Sequence, residues 1–178
     1  MIHAIVYSSQ TGTTKAYAEL LSKLTGLPAS PLSARPEAKE VIYLGWLRAG
    51  AVVGLAEARR RWKVPCVCAV GMSPCSEAQT NELRRKNRVL GEDALFYLQG
   101  GLNLQKLKPP VRLVLKAICA SAAKQLSAKQ TLTPSEQATL RMTQGAYSAV
   151  SEENLADALA WYRARESAGK TVDKSAAE

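Results

Sequence analysis

Hydroxyl side chains crowd a short stretch near the N-terminus, directly after the apolar run Ile5-Val6-Tyr7. This order predicts a strand, a tight loop and the start of a helix. The first N–H groups of a helix have no partner within it and lie at the positive end of its dipole, so such a turn binds anions. Gly12 lets the backbone approach a phosphate oxygen closely. We interpret the loop as a site for a monoester phosphate, formed by Ser9, Gln10, Thr11, Gly12, Thr13 and Thr14.

Two other kinds of phosphate site do not match this stretch. A nucleoside-triphosphate loop needs two glycines, the second followed by Lys and Ser or Thr, but Lys15 follows a threonine and no glycine precedes Gly12. A dinucleotide fingerprint needs three spaced glycines and is absent as well. An ordinary strand-to-helix turn without a ligand remains the alternative.

The loop resembles the FMN-phosphate loop of flavodoxins, whose pattern is Ser/Thr-x-Thr-Gly-x-Thr. The matching positions are Ser9, Thr11, Gly12 and Thr14. The resemblance implies FMN as the cofactor. It also implies loops at the far ends of neighbouring strands that hold the flat isoalloxazine ring.

Length and composition are those of one α/β domain. The 178 residues suffice for a single core, and no apolar window is long enough to span a membrane. No secretory signal is visible, so we expect a cytoplasmic protein with reduced cysteines. A metal site is not expected, because the single histidine, His3, stands far from the cysteines Cys66, Cys68, Cys75 and Cys119.

Strand and helix patterns alternate along the first hundred residues. We predict strands at 3–7, within 27–36 at an edge, at 41–45, at 64–70 and at 94–98, with helices between them. The helices are expected at 13–24, from about 51 to 62, from Ser76 to about 90, and from Ser151 to about 166. The fold class is therefore α/β, a flavodoxin-like open five-stranded parallel sheet with helices on both faces. Residues 1–166 form the domain, and 167–178 are expected to be a flexible tail.

Ligands of such sheets lie outside the carboxyl ends of the strands, where the strand order reverses. We therefore assign the ring of the cofactor to the loops that follow the third, fourth and fifth strands. Trp46 is the residue we place on one face of the ring, although an aromatic packed at a strand end would show the same pattern. The assigned residues are Trp46, Leu47, Arg48, Met72, Ser73, Pro74, Gly100, Gly101 and Leu102.

A basic helical insertion is predicted after the fifth strand. Residues 109–126 place apolar side chains on one face and Arg112, Lys116 and Lys124 off it. Such a helix either packs by its apolar face or lies on an anionic membrane surface. A further helix is predicted to begin at Thr133-Pro134-Ser135-Glu136.

The insertion is the basis of a closer resemblance. The stretch 96–102, the basic helix and the stretch 140–145 resemble the flavodoxin branch that contains quinone-dependent protoporphyrinogen dehydrogenases. Gly45, Arg48 and Gly50 resemble, in a tighter version, that branch's loop after the third strand. The resemblance implies work at a membrane.

The net charge of +9 sets the expected partner. We expect an FMN-binding oxidoreductase or electron-transfer protein whose redox partner is anionic or quinone-like, including a porphyrinogen, with peripheral membrane contact through residues 109–126. No nucleic acid is expected, since aromatic residues do not interleave with the basic ones. No side chain stands out as catalytic. The alternative is a flavodoxin-fold binding or regulatory module without redox turnover.

Overall fold

A computed structural model of the chain describes residues 1–72, 75–101 and 148–175. It also describes five separate positions, Leu113, Ala117, Ala120, Ser121 and Lys124. The predicted site residues Ser73, Pro74 and Leu102 lie outside this part of the chain. So do the predicted helix start at 133–136, the stretch 140–145 and most of the predicted basic helix.

The described strands form one twisted sheet. They are β1 (Ala4–Ser8), β2 (Ala29–Pro31), β3 (Glu40–Arg48), β4 (Ala51–Val52), β5 (Lys63–Gly71) and β6 (Ala94–Gln99). The order is β2-β1-β3-β5-β6 with every neighbouring pair parallel, and β4 pairs antiparallel with the end of β3. This is the doubly wound order of a flavodoxin-like fold, so the predicted fold class is confirmed.

Four helices connect or cover the strands in the described residues. They are α1 (Thr13–Thr25), α2 (Leu55–Arg59), α3 (Glu77–Lys86) and α4 (Ala156–Ser175). Gly26 ends α1 at φ 75°, in the left-handed conformation that glycine adopts without strain. Ser76 and Gln79 form the predicted capping box at the start of α3.

Both faces of the sheet are buried, which explains why the strands read as continuous apolar runs. On one face, α1 packs Tyr17 and Leu21 against the sheet, and Leu155 packs there from the short 3-10 helix Glu153–Leu155 that leads into α4. On the other face, α2 and α3 contribute Leu55 and Leu83. Helices on both faces were predicted, and so was the packing of the last helix through Leu155, Leu159, Trp161 and Tyr162.

The prediction of a loop at 46–50 followed by a long helix was wrong. β3 continues to Arg48, the chain turns at once into β4, and α2 has only the residues Leu55–Arg59. The cause lies at Gly45, where a β-carbon would stand 2.5 Å from Val52 Cγ1 and 2.8 Å from the Val53 carbonyl oxygen. Because Gly45 has no side chain, the returning strand can pack against β3.

Two helix ends also differ from the predicted positions. α3 stops at Lys86 instead of about residue 90, because Arg88 adopts a left-handed conformation at φ 50°. α4 continues to Ser175, past the expected end near residue 166. The division of the chain at 166 stays a prediction.

The described positions between 113 and 124 are helical, as predicted there. All five side chains are exposed, and Leu113 is 73% exposed. Within the part of the chain that the structure describes, no helix combines the length and the apolarity needed to cross a bilayer.

Candidate functional site

A cleft of about 810 Å³ opens at the carboxyl ends of β1, β3 and β5. It lies where the strand order reverses, because β2 and β3 flank β1 on opposite sides. Nine of its lining residues follow β1 or belong to β3 and its turn: Gln10, Thr11, Thr13, Thr14, Trp46, Leu47, Arg48, Ala49 and Gly50. A cleft of this size is typical of small-molecule and cofactor sites.

The loop after β1 reaches the cleft as the N-terminus of α1. Gly12 precedes the helix at φ 98°, a conformation that costs other residues strain. Its N–H donates to the Ser9 hydroxyl at 3.2 Å, so Ser9 helps to hold the shape of the loop. No described side chain caps the helix, so the first-turn N–H groups of Thr13, Thr14 and Lys15 point out of it without a capping partner.

Thr14 is the buried polar residue of this loop. It is only 2% exposed, yet it lines the cleft. Among the described residues, no group forms a hydrogen bond with its hydroxyl, and Oγ1 is not one of the fully buried polar atoms without a partner, so it is open to the cleft. By contrast, the Thr13 hydroxyl donates to the Gly101 carbonyl at 3.3 Å. Thr14 therefore offers the cleft a donor that the protein itself does not use.

The second wall of the cleft is the β3–β4 hairpin. Trp46, Leu47 and Arg48 all line the cleft from the end of β3. The Arg48 guanidinium carbon lies 6.0 Å from the centroid of the Trp46 ring. A contact of this kind at an exposed site is worth about 0.5–1 kcal/mol, so a planar ligand ring can displace the guanidinium from the indole.

The third wall is built by the ends of β5 and β6. Gly71 leaves room for Tyr97, since a β-carbon there would stand 2.2 Å from the Tyr97 hydroxyl oxygen. Burial raises the pKa of that hydroxyl, with smaller contributions from Cys75 and Tyr17, so Tyr97 stays protonated at neutral pH. Met72, at the rim beside them, is 49% exposed.

The two predicted glycines after β6 differ in their roles. Gly101 lines the cleft and accepts the hydrogen bond from Thr13. Gly100 is buried behind it, where a β-carbon would stand 2.8 Å from Val70 Cγ1 and 3.0 Å from the Gly71 carbonyl oxygen. The close backbone approach at Gly100 is therefore to β5.

The structure also brings residues to the cleft that the sequence interpretation missed. One face of α3 contributes Gln79, Glu82, Leu83 and Lys86, spaced as one helical stripe. That spacing was the signal available in the sequence. The other lining residues that were not predicted are Ala49, Gly50, Val70, Gly71, Cys75 and Tyr97. With Arg48 and Lys86 against Glu82, the described charges of the lining are predominantly positive.

Comparisons with known proteins give little beyond the fold. No protein-family model and no curated protein matches the chain. Among solved structures, the chain is similar to a flavodoxin from the domain Archaea at 13% sequence identity and a TM-score of 0.32, over 81% of this chain and 97% of that one. The strand order and the position of the cleft define the chain as a flavodoxin-like α/β protein.

Proposed function

We propose that the chain binds FMN in this cleft and acts as an oxidoreductase or electron-transfer protein. The observation that carries the proposal is the Thr14 hydroxyl. The residue is 2% exposed, its hydroxyl has no hydrogen-bond partner among the described residues, and it lines the cleft beside the uncapped N-terminus of α1. A phosphate there would accept hydrogen bonds from the hydroxyl and from the first-turn amides.

The residues of the cleft fit the two ends of FMN separately. The loop with Thr11 and Thr14 takes the phosphate, and Ser9 and Gly12 keep the loop in shape. The indole of Trp46 packs against the isoalloxazine ring, while Leu47 and Arg48 border it. Met72 and Gly101 lie across the cleft, and Ser73, Pro74 and Leu102 belong to the proposed site on sequence grounds.

Bound FMN supplies one- or two-electron transfer, and the protein determines its orientation, access and potential. The wall residues exclude water from the ring faces. Positive charge at Arg48 and Lys86 favours a negatively charged partner, or a quinone met at an anionic lipid surface, in keeping with the net charge of +9. The finer proposal follows the resemblance to protoporphyrinogen dehydrogenases, with a porphyrinogen or quinone as substrate and the 109–126 helix at an anionic membrane surface.

The first test is the absorption spectrum of the purified protein, before and after incubation with excess FMN and gel filtration. We expect flavin bands that co-elute with the protein. Riboflavin is the matched control, because it carries the same ring without the phosphate and should bind much more weakly. A protein that stays colourless after incubation contradicts FMN binding.

A second candidate function is a flavodoxin-fold binding or regulatory module without redox turnover. The contact of Arg48 with Trp46 favours it, because the guanidinium occupies the neighbourhood of the indole that a flavin ring would use. Reduction with dithionite followed by exposure to a quinone separates the two candidates. Rapid reoxidation supports the redox protein, and a bound flavin that is not reoxidised supports the binding module.

A further inference from the structure

The β3–β4 hairpin that carries Trp46 is too small to be rigid by itself. β4 consists of Ala51–Val52 alone, and two-stranded hairpins are marginally stable in water. The two tip residues, Ala49 and Gly50, both have positive φ, at 48° and 78°. This is the tight turn that suits hairpins, although alanine adopts it with strain.

Asn87, at the end of α3, supplies the support that the hairpin lacks. Its Oδ1 accepts from the Val52 N–H at 2.7 Å. Its Nδ2 donates to the Gly50 carbonyl at 2.9 Å and to the Leu83 carbonyl at 2.9 Å. One side chain therefore satisfies both a donor and an acceptor of the hairpin backbone, which lies more than thirty residues away in sequence.

Asn87 is itself held in place. Its N–H donates to the Leu83 carbonyl at 3.0 Å, and its carbonyl accepts from Arg59 Nη1 at 2.7 Å. The Asn87 side-chain amide can form all three hydrogen bonds only when Oδ1 points toward the Val52 N–H. The flipped amide would place Oδ1 against two carbonyl oxygens. Neither aspartate, which lacks the donors, nor alanine reproduces this arrangement.

The support reaches the cleft through the hairpin ladder. Val52 pairs with Leu47, and the Val53 N–H donates to the Trp46 carbonyl at 3.0 Å. Lys86 adds a second attachment, since its Nζ donates to the Ala49 carbonyl at 2.6 Å. A hairpin fastened in this way presents Trp46 and Arg48 to a ligand without first having to be ordered, which lowers the entropic cost of binding.

We propose that Asn87 is the positioning residue of the ring-binding wall: it fastens the β3–β4 hairpin to α3 and so fixes Trp46 against the isoalloxazine ring. The inference rests on the proposed binding of FMN. It assigns Asn87 no contact with the cofactor. Asn87 affects the binding of the ring end of the ligand and leaves the binding of the phosphate end unchanged.

The test compares Asn87→Ala with Asn81→Ala, an exposed asparagine on the same helix and the matched control. Three quantities are measured for each variant and for the wild type. They are the dissociation constant of FMN, the dissociation constant of inorganic phosphate from the amide chemical shifts of Thr13 and Thr14, and the hydrogen-exchange rate of the Val52 amide. Thermal unfolding checks that each variant is folded.

We expect Asn87→Ala to weaken FMN binding roughly tenfold, since each lost hydrogen bond contributes modestly and more than one is removed. Phosphate binding should change less than about twofold, and exchange at Val52 should accelerate. Asn81→Ala should match the wild type in all three. If Asn87→Ala does not fold, Asn87→Asp keeps the acceptor for the Val52 N–H but loses both donors, and it should weaken FMN binding by about threefold.

Two results would overturn the positioning role. The first is wild-type FMN affinity in Asn87→Ala despite faster exchange at Val52. The second is an equal loss of FMN and phosphate binding, which would show general loosening. Failure of FMN to bind the wild-type protein is a different outcome: it refutes the proposed cofactor, and the Val52 exchange rate still decides whether Asn87 fastens the hairpin.

Discussion

Replacement of Thr14 by valine removes a hydroxyl while keeping the shape of the side chain. The residue is 2% exposed and lines the cleft, and no described group bonds its hydroxyl. For most buried threonines this change lowers both stability and function. At Thr14 we expect FMN affinity to fall while the stability of the ligand-free protein stays nearly unchanged.

The expected magnitudes follow from what the hydroxyl does in each state. In the ligand-free protein the hydroxyl is open to the cleft, and valine leaves no buried polar group unpaired, so the free energy of unfolding should change by less than about 0.5 kcal/mol. In the complex it donates to a charged phosphate, and such a bond is worth about 1.5–3 kcal/mol. The dissociation constant of FMN should therefore rise by roughly 10- to 100-fold.

The assay pairs flavin titration with urea denaturation of the ligand-free protein. Thr25→Val is the control, because the Thr25 hydroxyl donates to the Leu21 carbonyl at 2.7 Å at the opposite end of α1. There we expect unchanged FMN affinity and a loss of about 1 kcal/mol in stability. Riboflavin should bind Thr14→Val and the wild type equally, because it lacks the phosphate.

Unchanged FMN affinity in Thr14→Val would refute the reasoning, whatever the stability. A fall in the free energy of unfolding would show that the hydroxyl has a partner in the folded protein. Equal losses for FMN and riboflavin would place the defect at the ring end and not at the phosphate.

Trp46→Leu should weaken both FMN and riboflavin by about threefold to tenfold in fluorescence titrations, because it removes an aromatic stacking partner. The double variant Thr14→Val/Asn87→Ala should show losses of FMN binding free energy that add within about 0.5 kcal/mol, since the two sites share no partner. Glu40→Gln should change the pH dependence of stability. Burial works against ionisation of Glu40, but the hydrogen bond from Lys63 and the charged N-terminus outweigh it, so the pKa lies below its ordinary value of 4.5. The ionised Glu40 carboxylate therefore stabilises the fold fully above about pH 4.5, and this stabilisation is lost as the pH falls through the folded-state pKa. Urea denaturation should therefore show a constant difference between wild type and Glu40→Gln at neutral pH that narrows in acid.

Each of these predictions has an outcome that contradicts it. If Trp46→Leu loses riboflavin binding but keeps FMN binding, the indole does not contact the ring of bound FMN. Strong coupling in the double variant would mean that the phosphate and ring ends form one unit. If the stability difference between the wild type and Glu40→Gln stays constant down to pH 3, the Glu40 partners do not stabilise its ionised form.

The strand, turn and helix start of the proposed phosphate loop were predictable because their signals are local. A short apolar run, a glycine at the helix start and adjacent hydroxyls determine a strand, a turn and a helix within a dozen residues. The glycine after α1 and the capping box before α3 are local in the same sense, and the structure has both. The local sequence does not show which of the Thr13 and Thr14 hydroxyls bonds the protein. The Thr13 hydroxyl bonds the carbonyl of Gly101, which is far away along the chain.

The ring end was not predictable in the same way, because long-range contacts build it. The hairpin exists because Gly45 leaves space for Val52, and because Asn87 bonds the Val52 amide from another helix. Short sequence segments predict a loop from Trp46 to Gly50, because a partner strand of only two residues has no recognisable local pattern.

This difference in construction bears on how the cleft would select a ligand. The proposed phosphate end consists of backbone amides and one hydroxyl, which would recognise any monoester phosphate without distinguishing the rest of the molecule. The ring end consists of side chains from β3, β5, β6 and α3, with Trp46 held by a hairpin that Asn87 fastens. Substitutions there can change the accepted ring without disturbing the phosphate loop. If the proposed site is right, the hairpin and α3 decide which ring is accepted, and ligands that vary the ring at constant phosphate discriminate between flavin and any other planar group.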